Sequence, residues 1–446
     1  MTTEHITPGT DGKLSRTLGL TTSLLVFVGY IVGASIFILP GTLGGSTGPG
    51  LFLSYILAAI PAIFSCGVAA FVGSAYPVPG AGFVFASRMF PPIGMATAIW
   101  TLVFGVTMGI PLLAFGFADY INYFIPGLNR QLVAGATVII FTLVNCGRVT
   151  LTAMVQGVCV LIFCVGLMIF SIGGIVSGDG KALEPLFPNG LEPVFFAALT
   201  AYFSYLGTMV VMEMAGEIKN PSRNIPLTLI IGFSILLLVY TSVPIALMMN
   251  LPWDMLGARG NGSIAVITAS ETFLPPGWTN FIAMGALLAA GTSVNGTLLS
   301  QSRDVLAASR EGLVPRSLGH VNETSHVPIR AVVFLSGLSL LAILYGANIR
   351  AYADVVVFGV MYLQAGLGYA AYRYPDRYPE EYAASPLRYP RLVHSFFSLG
   401  LMVFSIGIMG MFAYRNINML LIFLVLLGVV AMIFRLNERR EAKQNE

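Results

Sequence analysis

The stretch Val28–Gly41, VGYIVGASIFILPG, combines membrane-like apolarity with residues that interrupt a helix. It lies inside the charge-free run 17–87, which is long enough for two crossings, because one helical crossing takes about 20 apolar residues. Glycine and proline weaken the helical hydrogen-bond ladder, and unpaired backbone groups at membrane depth are tolerated only beside protein or a water-filled cavity. We therefore predict a membrane helix that is broken in its middle, is closed by Pro40-Gly41, and carries a binding site at the break.

The composition is that of a polytopic membrane protein. Of the 446 residues 56% are hydrophobic and only 10% are charged, against about 25% charged in a soluble domain, and the mean hydropathy is +0.82. Ten further charge-free runs follow the first, which we divide at the Gly-rich turn 41–50, and this predicts twelve transmembrane helices. Because the longest polar connections are 303–330 and 373–391, we expect residues 1–446 to form a single membrane domain.

Lysine and arginine are distributed unevenly between the two sets of predicted connections. If both termini are cytoplasmic, 18 of the 23 basic residues lie inside and 5 outside, which is the bias that cytoplasmic loops show. We therefore predict a multi-pass protein of the inner (plasma) membrane without a cleaved leader, in which segments 1–16 and 435–446 are cytoplasmic. The net charge of +3 then reflects topology, and no nucleic-acid partner is expected.

A second interruption, FSYLGTM at 203–209, lies in the sixth predicted helix, five helices after the first. An odd offset means that equivalent helices run in opposite directions, and inverted five-helix repeats with broken helices at matching positions are typical of secondary transporters. We predict repeats over 17–177 and 193–373, followed by helices 11 and 12 over 392–434. The alternative that glycines only allow close helix packing is weakened by the second interruption.

The two breaks expose main-chain poles. Free amides at the start of a half-helix favour a carboxylate, and free carbonyls at the end of one favour an ammonium group. An amino acid carries both groups. The predicted substrate-binding residues are Ile31, Gly33, Ala34, Ser35, Ile36, Phe203, Ser204, Leu206 and Gly207.

Other chemistry is sparse in the predicted spans. Glu213 is the one ionisable residue within them. It either takes part in proton coupling or simply lies near the cytoplasmic end of its helix, and the sequence leaves both alternatives open. The four histidines fall in connections or near span ends, so no metal site and no Ser-His-Asp arrangement can be assembled at membrane depth. We predict neither an enzyme nor a cofactor, although sodium or proton coupling stays open.

Several motifs together resemble the amino acid permeases of the amino acid–polyamine–organocation superfamily. GASIFILPG at 33–41 is similar to the first-helix signature Gly-Ser-Gly-Ile-Phe-x-x-Pro-Gly, and EIKNPSRNIP at 217–226 is similar to Glu-x-Lys-Asn-Pro-x-Arg-x-x-Pro after the sixth helix. SR at 302–303 with SREGLVP at 309–315, and NCG at 145–147 with Gln156, agree in order. The resemblance implies the inverted-repeat fold of the leucine transporter, with discontinuous helices 1 and 6, in which the first break binds the substrate carboxylate and carbonyls of both broken helices bind the amine.

The chain departs from the family pattern at three places. Ala34-Ser35 replaces Ser-Gly, Met209 stands where the family often has Glu, and Phe163 stands where some members have a lysine in place of a sodium ion. Without a carboxylate at the side-chain end we expect a neutral substrate, with Phe203 covering it.

The resemblance also suggests residues around the substrate side chain and an ion. The candidate side-chain pocket comprises Trp100, Met108, Met209, Asn295 and Tyr362. Hydroxyls of Thr292 and Ser293 are a candidate sodium site, and the alternative is that they bond to the preceding helical turn. Exchange or facilitated transport is as plausible as proton symport.

The leading hypothesis is an alternating-access transporter of a neutral amino acid, embedded in lipid as a monomer or homodimer. The alternative within transport is an antiporter for a polyamine, another amine or a basic amino acid. A channel is disfavoured because one inverted pair of breaks gives no ring around a pore. A membrane enzyme and a non-transporting receptor are less favoured.

Overall fold

The computed structural model describes residue 16 and residues 18–78, 80–146, 152–258, 262–322, 327–346 and 349–444. These residues contain no β-strand, only an isolated parallel bridge between Leu18 and Ile218. The predicted all-α fold class is confirmed. The N-terminal segment 1–15, Gly147 and the side chain of Gln156 lie outside the described residues.

The described residues form nineteen α-helices. They are Leu20–Val32 (α1), Ser35–Thr47 (α2), Leu51–Ala75 (α3), Ala81–Met89 (α4), Pro92–Phe104 (α5), Gly109–Phe124 (α6), Arg130–Cys146 (α7), Thr152–Ser177 (α8), Glu192–Ala201 (α9), Val210–Glu213 (α10), Pro221–Asn250 (α11), Asp254–Ala258 (α12), Ala265–Ser270 (α13), Pro276–Arg310 (α14), Ile329–Tyr345 (α15), Ile349–Arg377 (α16), Pro379–Ala384 (α17), Arg391–Arg415 (α18) and Ile417–Gln444 (α19).

Nine helical stretches of the described chain are long and apolar enough to cross a membrane. The first, Leu20–Ala75, turns at the short 3-10 helix Gly48–Gly50 and so accounts for two crossings. The apolar helices α7 and α15, each of 17 residues, are at the lower limit of spanning length. Counted together, these helices match the predicted twelve.

The first crossing is broken where the glycine pattern predicts, but its second half is longer than expected. Helix α1 ends at Gly33, whose φ of 36° lies in the left-handed region that favours glycine. Helix α2 then continues through Pro40 and ends at Thr47. The prediction that Pro40-Gly41 closes this segment is therefore wrong. Pro40 cannot donate an amide hydrogen bond to the helix, but α2 continues beyond it for seven more residues.

Long helices surround both broken segments. Helix α1 packs against α8, α11 and the 3-10 helix Tyr202–Met209, and α14 packs against α6, α7 and α8. Ile31, Val32 and Ala34 are buried as a result. The main-chain groups at the first break therefore face protein and an internal cavity rather than lipid, as backbone at membrane depth requires.

The connection between α3 and α5 contains the short helix α4. Arg88 of α4 makes two hydrogen bonds of 2.7 Å to the carboxylate of Glu381 on α17. The hydroxyls of Tyr76 and Tyr374 donate to the same carboxylate at 2.9 and 3.0 Å. The hydrogen bonds from Arg88 are the main reason that the pKa of Glu381 falls to about 2. This network ties α4 to the end of α16 and to α17.

Candidate functional site

The first break presents amides without a backbone acceptor. Phe37 and Ile38 donate their amides to the carbonyl of Ala34 at 3.1 and 3.2 Å, which starts α2. The amide of Ala34 itself donates to the Oγ of Ser293 on α14, at 3.3 Å. Ser35 and Ile36 are the first two residues of α2, and the first amides of a helix have no acceptor within that helix. This is the anion-attracting end of a helix.

The second break is a change of helix type rather than a gap. Helix α9 passes at Tyr202 into a 3-10 helix of eight residues, Tyr202–Met209, and α10 follows. A 3-10 stretch within a helix is strained and often marks a functional position. It lies at the predicted interruption 203–209. The chain there forms a tighter helix rather than the predicted unwound segment.

A tyrosine on α11 lies between the two breaks. The hydroxyl of Tyr240 is 2.7 Å from the carbonyl oxygen of Ile31 and 2.8 Å from that of Ser204. With one proton it donates to one carbonyl at a time. Its ring packs edge-on against Tyr205 with centroids 4.9 Å apart. Tyr240 therefore fixes the distance between the carbonyls that were predicted to bind an ammonium group.

A cavity of about 220 Å³ lies between the two breaks. Ten of the predicted residues line it: Ile31, Gly33, Ala34, Ser35, Phe203, Ser204, Leu206, Gly207, Thr292 and Ser293. Ile36 does not line it; this residue is fully buried in α2. Residues of both broken helices thus line one cavity, which is large enough for a small solute.

The two ends of the cavity differ in exposure. Beyond the first break, Ile36 to Leu39 of α2 are completely buried. At the other end Tyr30 is 38% exposed, and the exposed Ser300 lines the cavity together with Asp304. The structure therefore describes a state that is open at one end, where the acidic residue Asp304 lies.

Comparison with known proteins identifies the family. The family model described as "Amino acid permease" matches residues 18–435. The chain belongs to this family. The match confirms the resemblance to the amino acid–polyamine–organocation superfamily, and it makes the protein a multi-pass membrane transporter rather than an enzyme.

Several curated relatives of this permease are named for their substrates. A branched-chain amino acid permease, BcaP, of Bacillus subtilis is 26% identical over 74% of this chain and 75% of its own. A methylthioribose transporter of the same species is 25% identical over 78% and 79% of the two chains. The vacuolar cationic amino acid transporter 4 of Arabidopsis thaliana is 26% identical over 78% of this chain and 61% of its own.

The five residues that were predicted for the side-chain pocket do not line the cavity of the permease. The indole of Trp100 donates to the carbonyl of Leu313 at 3.2 Å. The Asn295 side chain accepts a hydrogen bond from Asn145 at 2.8 Å. Tyr362 is 3.0 Å from the hydroxyl of Thr97, and its ring packs on Phe423. Met108 and Met209 are partly buried against the core. Trp100, Asn295 and Tyr362 therefore bond to groups of the protein outside the cavity.

The residues of the candidate ion site lie beside the first break. Thr292 donates to the carbonyl of Leu288 at 2.8 Å, which is the intrahelical alternative that was left open, and its lone pairs stay available. Ser293 accepts the amide of Ala34. Phe163, at the position where some family members have a lysine, is fully buried and contacts Gly285 of α14.

The sequence did not identify Tyr240 or the aliphatic residues that line the rest of the cavity. The latter are Leu102, Val106, Leu113, Val356 and Val360. Their spacing of four and seven residues is a helical signal. It is hidden in this permease because the remaining faces of the same helices are also apolar, as in other buried or membrane helices.

Proposed function

We propose that this permease is a secondary transporter that carries a neutral amino acid across the plasma membrane by alternating access. The observation that carries the proposal is the cavity between the two breaks, which has free amides at one side and the carbonyls of Ile31 and Ser204 at the other. A zwitterion matches both poles. The carboxylate binds at Ser35, the first residue of α2, and the ammonium group binds at the carbonyls held by Tyr240.

The proposal includes the inverted repeat, with its units over 17–177 and 193–373 and with both termini in the cytoplasm. Helix α1 then begins at the cytoplasmic side, so the open end of the cavity at Tyr30 and Ser300 faces the cytoplasm. The opposite end is closed partly by a hydrogen bond between α9 and α16, in which Thr200 donates to Asp354 at 2.6 Å. Alternating access requires this bond to break while the cytoplasmic end closes.

A second candidate substrate is a basic amino acid or an amine. The carboxylate of Asp304 lines the cavity at its open end, and negative charge favours a cation. Some relatives are named as cationic amino acid transporters. Against this candidate, Asp304 lies eleven residues after Ser293 on α14, or about 16 Å along a helix. That is far from the carbonyls at the breaks. We therefore favour the neutral substrate.

Ligand-dependent thermal stability tests the proposal directly. A ligand at 100 times its dissociation constant stabilises the folded protein by about 2.7 kcal/mol. The purified permease in nanodiscs is heated with each amino acid, with putrescine and with agmatine, in sodium and in potassium buffer. We expect stabilisation by neutral amino acids. Stabilisation by arginine or amines alone would favour the second candidate, and a requirement for sodium would support an ion site at Thr292 and Ser293.

A substitution in the cavity wall tests the position of the site. Ser35 is buried, lines the cavity and contacts Tyr240. We expect Ser35→Trp to abolish uptake while expression is intact, because an indole fills the space between the breaks. Wild-type uptake by this variant would place the substrate elsewhere.

A further inference from the structure

Five aliphatic side chains line the cavity, and we call them the aliphatic wall. They are Leu102 of α5, Val106 of the 3-10 turn between α5 and α6, Leu113 of α6, and Val356 and Val360 of α16. Val106, Gly109 and Leu113 follow each other at helical spacing, as do Val356 and Val360, so each group lies on one face of its helix. The ring of Phe203 borders the same space.

The aliphatic wall has no group that could pair with a charged side chain of the substrate. These five side chains cannot form hydrogen bonds, and transferring a charged group next to them is strongly unfavourable. Burial of methyl and methylene groups there is favourable at about 0.8 kcal/mol for each CH₂. The polar wall at the breaks and this aliphatic wall together match the two ends of an aliphatic amino acid.

Gly109 of α6 leaves free space in the aliphatic wall. A methyl group at its Cβ position would lie 3.7 Å from the ring of Phe203 and 3.8 Å from Cγ2 of Val356. These are ordinary van der Waals distances, so alanine fits without displacing its neighbours. Because Gly109 lines the cavity, the added methyl group would take up volume between Phe203 and Val356.

Other glycines of the cavity differ in this respect. A Cβ atom at Gly29 would come within 2.6 Å of Val160, and one at Gly207 within 2.6 Å of Ile31. Both are distances at which the neighbours must move. Glycine at these two positions is explained by close packing, whereas close packing does not explain Gly109.

We infer that the aliphatic wall is the subsite for the substrate side chain, that it selects aliphatic side chains of about the size of leucine, and that Gly109 sets its upper size limit. This inference rests on the proposed function, since it assumes that an amino acid binds with its charged groups at the two breaks. It adds the class of the side chain and the residue that determines it.

The test compares Gly109→Ala with a matched control, Gly407→Ala. Gly407 is an exposed glycine of the long helix α18 with no atom within 4 Å of its Cβ position, so both variants exchange a helical glycine for alanine. Uptake of L-alanine, L-valine, L-leucine and L-phenylalanine is measured in proteoliposomes as kcat/KM. One methylene group in an apolar pocket changes discrimination about 10- to 200-fold. We expect Gly109→Ala to lower the leucine-to-alanine ratio at least about tenfold, and Gly407→Ala to leave it unchanged.

A second substitution tests the same space from the opposite side. Val356→Ala removes the methyl groups that face Gly109, so we expect it to raise the phenylalanine-to-alanine ratio by itself. In the double variant it should restore most of the leucine transport that Gly109→Ala loses. Val356→Ala also keeps the inference testable if Gly109→Ala expresses poorly.

The outcomes separate the inference from the proposed function. A leucine-to-alanine ratio within about twofold of wild type in Gly109→Ala would overturn the size limit while amino acid transport stands. Equal loss of alanine and leucine uptake in a variant of wild-type thermal stability would also overturn it. If the wild-type permease neither transports nor is stabilised by any of the four amino acids, the proposed function itself fails.

Discussion

Replacing Tyr240 by phenylalanine tests the contact that holds the two breaks together. The substitution removes the hydroxyl that lies 2.7 Å from the Ile31 carbonyl and 2.8 Å from the Ser204 carbonyl. It leaves the ring that packs on Tyr205 and Tyr55. A net loss of about 1 kcal/mol is typical for one buried hydrogen bond, and a buried carbonyl left without a partner costs about 1–3 kcal/mol.

The substitution also weakens binding, because the lost hydrogen bonds affect the free and the bound protein differently. Without ligand, the two carbonyls of the Tyr240→Phe variant are free to turn toward water in the cavity. A bound ammonium group requires them back in their original positions, so part of the binding energy is spent on reordering them. If about 1.4 kcal/mol is lost in this way, the Kd for L-leucine rises about tenfold.

The assay is titration of purified protein in nanodiscs with radiolabelled L-leucine. Tyr120→Phe is the control, because its hydroxyl donates to the main-chain carbonyl of Phe37 at 3.1 Å, away from the cavity. Both variants lose one buried bond of the same kind, so both should be slightly less stable, but only Tyr240→Phe should bind more weakly. A Kd within about twofold of wild type in a folded Tyr240→Phe protein would refute the role assigned to this hydroxyl.

Three further substitutions address other parts of the structure. Gly33→Ala places a side chain at a φ of 36° and a Cβ atom 2.9 Å from the Ser293 Oγ, so we expect uptake to fall at least about tenfold at unchanged expression. Phe203→Ala opens the cavity wall, and bound leucine should dissociate about tenfold faster in a filter-binding chase; an unchanged off-rate would exclude a covering role for the ring. Glu381→Gln removes the partner of Arg88. Because the pKa of Glu381 is lowered to about 2, the ion pair stabilises the fold above pH 4–5 and is lost as pH falls toward 2. The thermal unfolding temperature of Glu381→Gln should therefore be lower than that of wild type at pH 7, by the equivalent of no more than about 1 kcal/mol for an exposed pair. The difference should shrink at pH 3, and a constant difference would count against the ion pair.

The position of the breaks could be predicted from the sequence because the backbone conformation at a break depends on the residue that stands there. Gly33 is placed where φ is positive, and the break follows from that one residue. The extent of each break was not readable. Helix α2 passes Pro40, and the second interruption is a 3-10 helix. Both depend on how neighbouring helices and hydroxyls satisfy the loosened backbone, which local sequence does not specify.

The side-chain pocket could not be predicted in the same way. Trp100 and Leu102 are two positions apart on α5, and only the second lines the cavity. Which of the two side chains faces the cavity depends on the rotation of α5 about its axis. In a soluble protein the polar face of a helix indicates that rotation, but α5 is apolar on all sides, so its sequence does not indicate it. Tyr240 was missed for a related reason, since an aromatic residue in an apolar helix gives no sign of where its hydroxyl points.

The segments that border the open end of the cavity are joined by backbone hydrogen bonds. The amide of Leu18, just before α1, donates to the carbonyl of Glu217 at 3.0 Å, and the amide of Lys219 donates back to Leu18 at 2.9 Å. These bonds connect the start of α1 to the chain that follows α10. Under the proposed mechanism, displacement of α1 alone would break both bonds, whereas joint displacement of α1 and α10 preserves them. Alternating access at this end is therefore expected to move α1 and α10 as one unit. This unit ends where the hydroxyl of Tyr240 contacts the carbonyls of Ile31 and Ser204.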